Sequence, residues 1–318
     1  MPPKIKKKIK LKKVKPKKVN PQSDNDIQIV CSEGLEFLKT IKDGSVDLIL
    51  TDPPYIISKE TGMNKHYNEV KKNEKNNVEF VKTEEDWVEY KKTLDRPQEE
   101  LDADKGKGWS KDNYLRYGTI LGKKYCNKTH FGDWDHSFTM DSLFPFIKMY
   151  YDKLRTGGTL IMWFDIWKLE SLKGLMEQVK KTSKGNNIGF KQIRFIEWIK
   201  TNPQPRNSKV NYLTNCREVA LLGVKGGKPT FNSSYDKGIY QYPMALGKNR
   251  IHPTQKNLQL FEELIKKHSN EGDLVVDTFL GGGTTAIACQ NTKRKFKGCD
   301  AEEKYINQVK EILRNNSK

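Results

Sequence analysis

A chain of 318 residues, 35% hydrophobic and 31% charged, can bury a full core as one large α/β domain with insertions or one domain with a small added module. Its net charge of +18 points to an anionic partner, and no apolar run approaches the roughly 20 residues of a membrane span. Five cysteines, Cys31, Cys126, Cys216, Cys289 and Cys299, show no paired CxxC spacing, so neither a disulfide framework nor a metal site is indicated and a soluble protein of a reducing, intracellular compartment (cytoplasm, nucleoid or nucleus) is expected.

Lys4 to Lys18 hold ten lysines and no acid, more than half of the excess charge. Such a run repels itself and has no aromatic residue to bury, which predicts a disordered tail over residues 1–25 and an ordered domain over 26–318. The tail is too basic and too poor in apolar residues for a secretory signal; phosphate contact, nuclear targeting and solubility are equal candidates for its role.

Ile27 to Cys31 reads as a strand, Glu33 to Ile41 as a helix and Val46 to Thr51 as a buried strand. That strand runs into Asp52-Pro53-Pro54-Tyr55. Two prolines fix two φ angles and remove two backbone donors, so carbonyls face outward as acceptors beside the Asp52 carboxylate and the Tyr55 ring. An exocyclic amino group, with two N–H donors beside a planar ring, fits that arrangement; a strand-ending turn without chemistry is the alternative.

The pattern loosens over the insertion 56–135, which mixes charge with Asn, Gly and scattered aromatics around one predicted helix from Glu84 to Leu94. A segment of that length is functional or mobile. Helical periodicity returns from Ser142 to Leu154, with Leu143, Phe146, Ile147, Tyr150, Tyr151 and Leu154 on one face and Gly157-Gly158 expected as the C-cap. Thr159 to Phe164 reads as a strand, Lys168 to Lys180 as a helix, Phe190 to Ile199 as a strand and, after Asn202-Pro203-Gln204-Pro205-Arg206, Glu218 to Val224 as another.

Leu274 to Phe279 is a further apolar strand, followed by Leu280-Gly281-Gly282-Gly283-Thr284-Thr285 and the helix-like Ala286 to Gln290. Strand, glycine loop and helix is a nucleotide-binding order, because glycines let backbone approach a ligand and the helix start offers unpaired N–H groups. Phe296 to Asp300 is the next strand, with an acid at its tip suited to both hydroxyls of a ribose. A flexible turn is the bland reading of the glycines; the spaced Asp300 favours the nucleotide.

Together these stretches resemble the DNA amino-methyltransferases that use S-adenosylmethionine, in the beta arrangement where Asp-Pro-Pro-Tyr precedes Phe-x-Gly-x-Gly. The resemblance runs from about Ile27 to Leu313. It includes the Leu154-Arg155-Thr156-Gly157-Gly158-Thr159-Leu160 turn and His252-Pro253-Thr254-Gln255-Lys256. Thr278, Gly282, Asp300, Asn257 and Ser32 stand where the family usually has Pro, Ser, Glu, Pro and an acid.

The resemblance implies a doubly wound, mostly parallel sheet of the Rossmann-like methyltransferase type, with both motif turns at the carboxyl ends of neighbouring strands. It implies site-specific methylation of the adenine amino group in double-stranded DNA by base flipping, with a cognate restriction endonuclease as a candidate partner. The oligomeric state is left open. Asp52, Pro53, Pro54 and Tyr55 would act on the base. Asp277, Phe279, Gly281, Gly283, Thr284, Thr285 and Asp300 would hold the cofactor, with Thr254 and Lys256 near its methionine end and His252 structural. Residues 223–250 would be target-recognition territory, where Lys225, Lys228, Lys237, Lys248 and Arg250 either touch phosphates or guanine edges or form a solvated basic loop; the insertion 56–135, ending at Trp134-Asp135, reads as a subdomain that closes over DNA, with a disordered surface insertion as the alternative. Methylation of the cytosine amino group and a catalytically inactive DNA-binding module are the rival readings.

Overall fold

Strands made of Val, Ile and Leu on both faces must be covered on both sides, and the sheet of this protein is. The computed structural model describes residues 26–55, 72–94, 101, 110–118, 120, 138–203, 215–245 and 255–316. In chain order the main elements are β1 (Ile27–Cys31), α1 (Gly34–Lys39), β2 (Val46–Thr51), α2 (Glu84–Lys92), α3 (Ser110–Tyr117), α4 (Met140–Lys153), β3 (Leu154–Phe164), α5 (Leu169–Glu177), the short pair β4 (Lys180–Lys181) and β5 (Asn187–Ile188), β6 (Lys191–Lys200), β7 (Arg217–Val224), β8 (Ile239–Tyr242), α6 (Leu258–His268), β9 (Leu274–Asp277), α7 (Thr284–Asn291), β10 (Lys295–Asp300) and α8 (Glu303–Asn316).

Eight strands form one sheet in the order β1-β10-β9-β2-β3-β7-β6-β8. Only β7 runs against its neighbours. The alternation within each strand splits the core: Leu48, Leu50, Ile161 and Trp163 face α6, α7 and α8, whereas Ile49, Leu160, Met162 and Phe164 face α1, α4 and α5. Helices on both faces of a mostly parallel sheet make this the doubly wound architecture expected from the sequence.

The crossover matters for function. β2 and β9 lie side by side, with Leu48 opposite Val275 and Ile49 opposite Val276, although 226 residues separate Thr51 from Asp277. The Asp52-Pro53-Pro54-Tyr55 turn and the glycine loop therefore leave the same edge of the sheet, where doubly wound folds bind ligands.

Several expected boundaries move. Gly157-Gly158 does not cap α4: Leu154 is already extended (φ −64°, ψ 139°), so the helix passes directly into β3. Gly157 instead adopts φ 79° inside β3, where a Cβ would lie 2.4 Å from the Lys228 carbonyl oxygen and its own N–H reaches the carbonyls of Lys225 and Gly226. The predicted helix from Lys168 to Lys180 is shorter, beginning after a 3₁₀ turn at Ile166–Lys168 and ending at Glu177. β9 stops two residues before Phe279, because the Asp277 side chain turns back to accept the Phe279 N–H at 3.0 Å. Helix α6 and strand β8 were not foreseen.

Within the insertion, α2 opens on a capping box between Thr83 and Asp86. It forms with α3 a small core of Trp87, Leu101 and Tyr114, where Tyr90 stacks on Tyr114 with ring centroids 4.2 Å apart. No helix among the described residues is long and apolar enough to cross a membrane.

Candidate active site

β2 delivers Asp52 to the sheet edge, and three charged groups gather around it. The Lys256 ammonium lies 2.7 Å from Asp52 Oδ2 and 2.7 Å from Glu218 Oε2, and Lys200 lies 2.7 Å from Glu218 Oε1. The Lys256, Asp52 and Glu218 side chains are 6%, 19% and 20% exposed. Two cations and two anions thus balance in a largely dry site, as a buried charge requires.

The electrostatic state of each group follows from its neighbours. Burial pushes the Asp52 carboxyl up, against the pull of Lys256. For Lys256 burial works downward, but Asp52 and Glu218 outweigh it and hold the ammonium well above the usual lysine range. Glu218 is raised by burial and lowered more by Lys256 and Lys200, so it stands below the usual carboxylate value. Asp52 Oδ1, by contrast, is buried with no hydrogen-bond partner. A buried acceptor left without a partner is costly unless a ligand satisfies it.

Tyr55 completes the turn. Its ring meets Phe164 edge-on at 6.1 Å, and its hydroxyl accepts a hydrogen bond from Lys256 at 3.2 Å. Burial and the nearby Asp52 charge raise its pKa well above the tyrosine norm, so the hydroxyl stays protonated.

The glycine loop is built from behind by Asp277. This carboxylate, 2% exposed, accepts from Thr51 Oγ1 at 2.8 Å and Thr285 Oγ1 at 2.6 Å as well as from the Phe279 N–H. It ties the end of β2 to the start of α7 across the crevice, and burial pushes its pKa up to about 6. Its oxygens are engaged within the protein, so Asp277 stands as a brace behind the loop rather than at its lip. Thr285 belongs to the same brace, and Thr284 Oγ1 sits 3.5 Å from the Lys256 carbonyl oxygen. Tyr150 hydrogen-bonds Thr278 from α4. Phe279 packs against Phe146 at 5.0 Å and edge-on against Phe138 at 5.8 Å.

Gly281 and Gly283 take φ values of 48° and 75°. A Cβ on Gly283 would lie 2.5 Å from both Cγ atoms of Val309, so this glycine is required by the packing of α8. Asp300, at the tip of β10, accepts from the Gly281 N–H at 2.8 Å and the Glu302 N–H at 2.9 Å, one on each oxygen. A carboxylate has about four lone-pair sites, so acceptor capacity remains for a diol. A half-buried acid with spare acceptors beside a glycine turn fits the ribose and backbone-facing groups of a nucleoside cofactor.

The structure thus brings together Asp52, Pro53, Pro54, Tyr55, Lys256, Asp277, Phe279, Gly281, Gly283, Thr284, Thr285 and Asp300. Lys256, expected near the methionine end of the cofactor, sets its ammonium on Asp52 and Glu218 while its carbonyl lies beside Thr284 of the glycine loop. Glu218 and Lys200 were missed, because each is one charged residue near the end of a strand, with nothing local to show that the sheet pairs them. A charged residue opening an otherwise apolar β7 was the available signal.

The described part of the segment 223–250, residues 223–245, runs from one end of the sheet to the other. Val224 pairs with Thr159 at the amino-terminal end of β3, opposite the catalytic edge, and Lys225 donates to the carbonyls of Leu154 at 2.7 Å and Asp152 at 3.2 Å. The chain returns to the catalytic edge along β8, whose Tyr242 pairs with Lys200, so only the stretch from about residue 243 leaves on the active side. Thr254, His252, Lys248, Arg250, Trp134, Asp135 and the tail 1–25 lie outside the described residues.

Comparison with known proteins agrees with this geometry. The family model described as DNA methylase, of the N6/N4 type, matches residues 46–311, well over half of the chain. The chain belongs to this DNA methylase family. It is a DNA amino-methyltransferase of Rossmann-like fold, with S-adenosylmethionine as its cofactor. Relatives include the type II methyltransferase M.HpaI of Haemophilus parainfluenzae, 26% identical over 301 residues covering 91% of this chain and 74% of that protein. Another is M2.DpnII of Streptococcus pneumoniae, 29% identical over 194 residues covering 55% and 69%. Among solved structures, the M1.HpyAVI complex with S-adenosylmethionine covers 90% of this chain and 99% of its own at 23% identity and a TM-score of 0.51. The cytosine-N4-specific PvuII methyltransferase covers 91% and 95% at 15% identity and a TM-score of 0.54. Both share the fold.

Proposed function

We propose that this DNA methylase methylates the exocyclic amino group of adenine in double-stranded DNA, acting on a base turned out of the helix. The observation that carries the reading is the unpartnered, buried Asp52 Oδ1, held on a Pro-Pro turn beside the Tyr55 ring.

The adenine amino nitrogen is a poor nucleophile because its lone pair is delocalised into the ring. Asp52 Oδ1 and a carbonyl of Pro53-Pro54 would accept its two N–H bonds, which favours the pyramidal nitrogen and stabilises the positive charge that develops there. Lys256 fixes the other Asp52 oxygen, so the carboxylate cannot rotate away from the amino group. Tyr55 offers a stacking face, and extruding the base costs a few kcal/mol that stacking and backbone contacts offset. Asp300 and the loop through Gly281 and Gly283 would hold the cofactor, which when bound supplies an electrophilic methyl on its sulfonium. Asp277, Thr285 and Phe279 keep that loop in register with the catalytic turn. Orientation alone lowers such a barrier by up to about 7–11 kcal/mol, so no covalent nucleophile is needed.

A carboxylate acceptor with a tyrosine face suits the larger purine, since stacking is worth roughly 1–3 kcal/mol per base. Resemblance to type II enzymes makes a companion endonuclease the expected partner. The test is product analysis: DNA treated with enzyme and S-adenosylmethionine, digested to nucleosides and separated by mass spectrometry, should yield adenine methylated on its exocyclic nitrogen. Methylcytosine as the main product would overturn the base assignment; no methylated base would favour an inactive binding module.

A further inference from the structure

Of the large side chains near the catalytic edge, one stands out for its exposure. Trp167 is 88% exposed, far more than any other tryptophan among the described residues. It sits in the 3₁₀ turn Ile166–Lys168 that follows β3. β3 lies parallel to β2, with Met162 opposite Thr51, so the turn leaves the sheet at the same edge as Asp52-Pro53-Pro54-Tyr55. Phe164, three residues earlier, touches the Tyr55 ring, and the chain reach puts the Trp167 Cα within about 10 Å of the Phe164 Cα.

The turn is not a loose end. Asp165 caps it, with Oδ1 accepting the Trp167 N–H at 3.1 Å, and α5 begins directly after it at Leu169. An indole in water on a built turn has no folding reason, because burying it elsewhere would stabilise the chain by the transfer of a large apolar surface. It does have a binding reason. The substrate is DNA, whose bases present flat π faces wherever stacking is opened, and aromatic side chains take up such faces without regard to sequence.

We infer that Trp167 is a DNA-contacting residue, stacking on a base or sugar of the duplex beside the crevice that receives the target. The inference rests on DNA being the substrate and not on which base is methylated. It predicts that Trp167 acts on DNA and leaves the cofactor alone.

The experiment uses the full chain, its Trp167→Ala and Trp167→Phe variants, and methylation-free bacteriophage DNA fragments with S-adenosylhomocysteine. DNA should quench a component of tryptophan emission in the parent that is missing in Trp167→Phe. Trp167→Ala should bind the DNA roughly 5- to 150-fold more weakly, the effect of one stacked base, and Trp167→Phe should recover to within a few-fold. Cofactor affinity measured by calorimetry should match the parent in both. Equal DNA affinity in all three proteins, or a loss of cofactor affinity that parallels the loss of DNA, would overturn the assignment. A shift in oligomeric state in Trp167→Ala without a change in DNA affinity would overturn it as well, marking the indole as a self-association contact. The quenching arm needs no turnover, so it decides the matter even if the base assignment above fails.

Discussion

At the scale of single residues, the site depends on one ammonium that serves two carboxylates. Lys256 favours the ionised form of Asp52 against the burial that raises its pKa, and Glu218 keeps Lys256 in place. Removing it as Lys256→Met leaves two carboxylates facing each other in a dry site. The Asp52 pKa then rises further, so at neutral pH Oδ1 ceases to be a full acceptor. We expect activity at pH 7 to fall by about 10²–10³-fold, the usual loss when one preorganised electrostatic partner is removed. Part of it should return as pH is raised and Asp52 ionises. A kcat profile between pH 6 and 9 that is merely scaled down, with no rise toward alkaline pH, would show that Lys256 does not act through Asp52. Asp52→Ala should lose methyl transfer with cofactor affinity within a few-fold of the parent, whereas Asp300→Ala should weaken cofactor binding first; calorimetry alongside methyl incorporation separates the two.

At the scale of elements, the glycine loop shows two demands in one motif. Gly283 is left-handed at φ 75° and also pressed against Val309 of α8. An alanine there costs about 1–2 kcal/mol for the backbone alone, and the collision adds to it. Gly283→Ala should therefore lower the unfolding midpoint and weaken cofactor binding together. Pairing it with Val309→Ala should recover the share due to the collision, with a coupling of about 0.5–3 kcal/mol in a denaturant double-mutant cycle. Strict additivity would mean that α8 yields and the backbone term is all there is. The glycines themselves were legible in the sequence, since strand, Gly-rich turn and helix follow one another. Their partner was not, because Val309 is one apolar residue among several on a helix 26 positions away.

For the whole molecule, two buried groups pull its pH response in opposite directions. His268 at the end of α6, packed on Phe231, is lowered by burial from 6.5 to about 4. The unfolded chain takes up that proton first, so stability is lost as pH falls from about 6.5 to about 4. Asp277 is raised by burial from 3.8 to about 6. Here the folded state takes up the proton first, so stability is gained as pH falls from about 6 to about 3.8. Each gap corresponds to about 3 kcal/mol at 1.36 kcal/mol per unit, and the two nearly offset. His268→Gln should expose the Asp277 contribution alone: urea unfolding of that variant should give a free energy that falls by about 3 kcal/mol as pH rises from 4 to 6. A flat curve in the variant would mean that Asp277 does not titrate in this range.

The sequence by itself determined the strands, the two turns that end them and the chemistry those turns carry, because hydrophobic period, proline and glycine act locally. It also determined the family, since four short segments in a fixed order survive in it. Tertiary structure decided what stands around those turns. It made Asp277 a brace, set the Lys256 ammonium on Asp52, brought in Glu218 and Lys200 from neighbouring strands, and sent the start of the 223–250 segment to the far end of the sheet. The physical reason is range. Backbone preferences are set by a residue and its immediate neighbours, whereas the charge state and aim of a buried carboxylate are set by partners that the sheet order brings within 3 Å from as far as 226 residues away.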